Sequence, residues 1–114
     1  MTLSERDQIY VEHMLECINR VERFAGLDRN LFMQSELVQD AVIRNLQTLS
    51  ESSQRLSEEA KDIQADIDWR AVSGFRNVLV HDYLGLDLET IWLVIENDLP
   101  SLKNALQTIQ EEGR

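Results

Sequence analysis

Apolar residues recur at three- and four-residue steps along most of the chain, and one stretch mixes that pattern with polar groups. Residues 69–83, WRAVSGFRNVLVHDY, carry Trp69, Val72, Phe75, Val78, Leu79 and Val80 at helical spacing, with Arg76, Asn77, His81 and Tyr83 set among them. At about 100° per residue, Arg76 and Tyr83 return to nearly the same line, and Asn77 and His81 form an adjacent stripe. An unpaired buried cation is costly, so this group is either a satisfied structural network or a site.

The flanking pattern predicts helices on both sides. Residues 4–25 form the first, with Ser4 as N-cap, Glu5 and Asp7 in the first turn, and Gly26 ending it. After a short link capped by Asp28 or Asn30, Leu31 and Phe32 make a preliminary turn. A long helix runs from Ser35 to about Leu56, and a frayed or separate short helix continues to Ile63. Asp68 caps the central helix at Trp69, and Gly85 stops it after Leu84. Asp87 caps the last helix, whose stripe from Ile91 to Ile109 survives Pro100 with a kink near Asn97–Leu99. No strand pattern competes. The expectation is all-α: one domain over residues 1–114, an antiparallel up-and-down bundle of four main helices.

Composition narrows the function. A formal net charge of -10 on 114 residues disfavours diffuse attraction to nucleic acid, so any such chemistry must rest on a local cationic patch. The single cysteine, Cys17, rules out an intrachain disulfide and suits a reducing compartment. No apolar run reaches the ~20 residues of a membrane span, and no signal peptide opens the chain. A cytoplasmic protein without membrane association is expected.

Candidate chemistry is quickly reduced. His13 and His81 lack paired histidine or cysteine ligands at metal spacing, so no metal site is expected. His13, between Glu12 and Glu16, reads as a solvated histidine. There is no glycine-rich phosphate loop and no nucleophile elbow. Arg76 and His81 remain, with Asn77 as a supporting polar contact. An imidazole that exchanges protons near neutral pH and a guanidinium fork suited to phosphate are sufficient for metal-independent RNA cleavage. A single imidazole is a poor simultaneous base and acid, and a two-fold homodimer would supply two. The plain alternative is a network in which Arg76 bonds carbonyls or an acid and Tyr83 packs with its hydroxyl at the rim.

Arg76-x-x-x-x-His81-x-Tyr83, in the setting RNVLVHDY, resembles the signature of HepT-like toxins of the HEPN superfamily. Trp69-Arg70, Gly85, Asp87, Trp92, Asn97-Asp98-Leu99-Pro100 and the run Gln39 to Leu46 are similar to that family as well. The chain departs from it at Ser50-Glu51-Ser52, where Gly-Glu-Ala is common, and at Asp68, where proline often stands. The resemblance implies a HEPN-like bundle and a homodimeric endoribonuclease toxin with Arg76 and His81 catalytic. It implies an MntA-like nucleotidyltransferase antitoxin as partner and RNA as substrate. The antitoxin would use ATP to place AMP on Tyr83, while this chain needs no cofactor of its own. The alternative is a non-catalytic helical dimerisation or nucleotide-binding module that keeps the motif for structure.

Overall fold

The structure, a computed structural model, describes residues 3–81 and 87–113, His81 through its backbone alone. Among them are seven α-helices: α1 (Glu5–Ala25), α2 (Arg29–Gln34), α3 (Glu36–Gln54), α4 (Glu58–Asp62), α5 (Trp69–His81), α6 (Leu88–Leu93) and α7 (Leu99–Glu112). Four long segments make the bundle, α6 and α7 acting as one. No described helix is long and apolar enough to cross a membrane.

Local chemistry sets the ends. The Ser4 hydroxyl accepts the Asp7 N–H at 3.1 Å, and Gly26 takes a left-handed φ of 56° to close α1. Asp28, rather than Asn30, caps α2, which is a helix of 6 residues instead of a single turn. Ser35 both ends α2 and caps α3 through the Val38 N–H at 3.2 Å. Helix α3 stops at Gln54, short of the expected Leu56, because Ser57 starts a separate helix by accepting the Ala60 N–H. Leu56 is buried all the same.

Contacts at the helix ends give the topology. Leu3 at the start of α1 donates its N–H to the Gly113 carbonyl past α7, at 3.1 Å. At the other end, Lys103 of α7 pairs with Glu22 of α1 at 2.9 Å. Ser57, just after α3, bonds Asp7 of α1, and Gln54 of α3 bonds Ser73 of α5. Each of these pairs therefore runs antiparallel, with α3 between α1 and α5. The core is built from Val11, Met14, Ile18 and Val21 of α1, Val42 and Leu46 of α3, Leu79 of α5, and Ile91, Leu106 and Ile109 of the last segment. Phe32 and Trp92 meet with ring centroids 5.7 Å apart, fastening α2 over α6.

The expected kink is a single wide turn. Between α6 and α7, Val94–Asp98 forms a π turn in which the Leu99 N–H reaches the Val94 carbonyl. Pro100 has no N–H to offer the turn before it, and widening that turn relieves the crowding around its ring.

Asp7 does more than favour the helix dipole. It is 4% exposed, and its two oxygens accept the Ser57 N–H at 2.9 Å and the Ser57 hydroxyl at 2.6 Å. Burial works to raise its pKa, but the Ser57 bonds, Ser4 and the nearby Arg6 charge outweigh it and hold the carboxyl below its ordinary value. Its stabilisation is therefore complete above the ordinary carboxylate range and lost as pH falls through the lowered folded-state value. Asp7→Ala is expected to lower unfolding stability by about 2–3 kcal/mol. Asp7→Asn should flatten the loss of stability below about pH 4. Urea titrations across pH check both, and an unchanged acid limb in Asp7→Asn would contradict the assignment.

Candidate active site

Helix α5 is fixed at both ends before any functional group is considered. Asp68 Oδ1 accepts the Ala71 N–H at 3.0 Å, capping the helix as its sequence suggests. The Trp69 indole donates to the carbonyls of Lys61 at 3.2 Å and Gln64 at 3.0 Å, tying α5 to the α4 connection. Leu79 is wholly buried. Against α3, the Ser53 and Ser73 hydroxyls lie 2.9 Å apart, and Gln54 Nε2 donates to the Ser73 carbonyl at 3.0 Å. These bonds set the register of α5 on α3 one turn before Arg76.

Arg76 faces that same seam. Its Nε–H donates to Glu51 Oε1 of α3 at 3.4 Å, and the two side chains are 38% and 52% exposed. The guanidinium is therefore half-exposed, with one edge engaged, rather than sunk in an apolar strip. Among the described residues Glu51 is the one acid paired with it. Asn77 stands exposed at the next position, and Val78 and Val80 are 42% and 38% exposed beside it. His81 is the last residue of α5, about 7.5 Å further along the axis than Arg76. Tyr83, with the expected helix end at Leu84 and Gly85, lies outside the described residues. The structure thus places Arg76 and Asn77 on one exposed stretch.

A groove of about 430 Å³ runs on the other flank of α5, between it and the α6–α7 segment. It is mainly apolar, with Leu49, Val72, Phe75 and Leu102 among its lining residues. Arg76 and Asn77 do not line it, although Val72, one turn before Arg76, does. The other residues considered from sequence have quiet settings. His13 is exposed against the edge of Tyr10, and Cys17 is buried, which pushes its thiol pKa up.

Glu51 is the residue that sequence reasoning undervalued. It stood out only as an acid retained within Ser50-Glu51-Ser52, while its partner lies 25 positions away. Only the antiparallel register of α3 on α5 brings the two together.

What the arrangement can do is bind an anion. A guanidinium with a carboxylate on its Nε edge keeps its terminal nitrogens for a phosphate, which a bidentate fork fits.

Comparison with known proteins bears on this site. The model of the family described as Ribonuclease HepT-like matches residues 14–109. A Thermococcus cleftensis protein named "Probable ribonuclease HepT" is 30% identical over 112 residues, covering 97% of this chain and 100% of that one. A Methanocaldococcus jannaschii protein named "Gamma-glutamylcyclotransferase and putative RNase" is 33% identical over 106 residues, covering 92% of this chain. The chain spans only 48% of that longer protein. No solved structure matches the chain. With most of its length matched, including all of α5, the chain belongs to the HepT-like ribonuclease family.

Proposed function

We propose that this HepT-like ribonuclease is the toxin of a toxin–antitoxin pair. It is a cytoplasmic homodimeric endoribonuclease that cuts RNA with side chains alone and is silenced by AMP placed on Tyr83. The observation that carries the reading is the half-exposed Arg76, held on one edge by Glu51 at 3.4 Å, five residues before His81. In the reaction, a neutral His81 takes the proton from a ribose 2′-hydroxyl. The freed oxygen attacks the adjacent phosphorus, and Arg76 stabilises the charge that builds on the phosphoryl oxygens. The bond to the 5′-oxygen breaks, and the partner subunit's His81, protonated, returns a proton to that oxygen. The products are a 2′,3′-cyclic phosphate and a 5′-hydroxyl.

Two copies are needed because each chain brings one such histidine. Val80, one turn beyond Arg76 on the same side of α5 and exposed, offers apolar area for a two-fold contact. Pairing also doubles the positive charge at one point of a chain whose net charge is -10. Expression of the wild-type chain alone is expected to arrest growth, and the purified protein to degrade RNA in the presence of a chelator. Light scattering at micromolar concentration should give the mass of a dimer. Monomer only, or cleavage abolished by the chelator, would overturn the reading.

A further inference from the structure

The Arg76–Glu51 pair is poorly suited to a stabilising role. Both side chains are substantially exposed and the bond is long at 3.4 Å, the setting in which an ion pair adds least to stability. Its geometry is nevertheless specific. Glu51 contacts Nε, the guanidinium nitrogen nearest the main chain, and among the described residues no acid pairs with the terminal nitrogens. The backbone under both residues is independently fixed. The Ser53–Ser73 contact at 2.9 Å and the Gln54–Ser73 bond at 3.0 Å lock α3 to α5 within a turn of the pair. An arginine on a fixed helix still has a long flexible stem, and a contact at Nε narrows the orientations its head group takes.

We propose that Glu51 is a positioning residue for the ribonuclease reaction: it aims the Arg76 fork at the phosphate by holding its Nε edge. The assignment rests on the reading of Arg76 given above. Glu51 touches neither RNA nor the reacting atoms. It acts by removing orientations of the guanidinium that the transition state cannot use. That contribution is felt at the transition state more than in the bound ground state. A carboxylate beside the cation also weakens ground-state attraction for phosphate, so removing it should ease binding while spoiling the chemistry.

The test compares Glu51→Ala, Glu51→Gln and Arg76→Ala in the purified chain, on total RNA and a labelled single-stranded RNA with chelator present. Glu51→Ala should lose about tenfold in kcat with KM unchanged or lower, a split that a merely structural defect would not give. Glu51→Gln, which keeps an oxygen to accept the Nε–H, should recover most of the loss. Thermal midpoints should stay close to wild type. A separate readout needs no cleavage: the Arg76 Nε–H resonance in a nitrogen-edited spectrum should be distinct in wild type and collapse toward free arginine in Glu51→Ala. Wild-type kcat in Glu51→Ala beside an inactive Arg76→Ala would overturn the positioning role alone, as would an unmoved Nε–H signal. Undiminished cleavage by Arg76→Ala would instead strike the functional reading itself, whatever Glu51 does.

Discussion

Arg76→Ala and His81→Ala are each expected to reduce RNA cleavage by about 10²–10³-fold or more, with helical content and thermal midpoint left near wild type. The separation of activity from stability follows from where Arg76 sits. Its head group is half-exposed and bonded to one surface acid, so its removal leaves no buried charge unpaired and opens no cavity in the core. Leu79, which is fully buried on the same helix, is the contrast: Leu79→Ala would cost about 2–5 kcal/mol and lower activity by unfolding the scaffold. The two site variants should not add. If the guanidinium and the imidazole serve one transition state, the double variant falls little below the worse single one. Because one imidazole must start neutral and the other protonated, the rate should also pass through a maximum with pH. Single-turnover assays with chelator present decide the matter. Undiminished cleavage in either variant, or full additivity of the two losses, would remove Arg76 and His81 from the chemistry.

The parts of this molecule legible in its sequence are those fixed by local rules. Ser4, Ser35, Asp68 and Asp87 all cap as their residue types and positions suggest, since an N-cap needs only its own next few residues. The stripe through Met14, Ile18 and Val21 is core for the same reason. Pro100 announced its distortion by what it lacks, a backbone donor. The parts that escaped depend on register between helices. Nothing near Asp7 in the sequence says that Ser57 will meet it 50 positions on. Glu51 is alike in kind: an exposed acid in a helix is ordinary until α5 is laid beside it. The motif itself was visible from residue types. That Arg76 meets solvent on one edge and a carboxylate on the other was not, because periodicity assigns a face and not a partner.

On the proposed reading, Tyr83→Phe is expected to escape silencing by the cognate nucleotidyltransferase while retaining toxicity, and the wild-type chain co-expressed with that enzyme should carry AMP on Tyr83 and none on Tyr10. The two tyrosines differ in ways that bear on which is modified. Tyr10 is half-buried in α1, packed edge-on against His13 with ring centroids 6.1 Å apart and capped by the Arg6 guanidinium 5.8 Å from its ring. Tyr83 follows His81 by two residues and Arg76 by seven, so a group attached to it stays within the proposed active region. In the proposed transfer, the phenol oxygen would attack the α-phosphorus of ATP, pyrophosphate would leave, and the phenol proton would be lost to solvent. The product is a phosphodiester bearing one negative charge and an adenosine. On this proposal that charge would compete with RNA for the fork of Arg76, and the nucleoside would add bulk. Phenylalanine keeps the ring and lacks the oxygen, so it should block transfer without removing a catalytic group. Intact-mass measurement followed by peptide mapping locates the label. A label on Tyr10 alone, or a Tyr83→Phe variant silenced as fully as wild type, would show that control of this ribonuclease does not run through Tyr83.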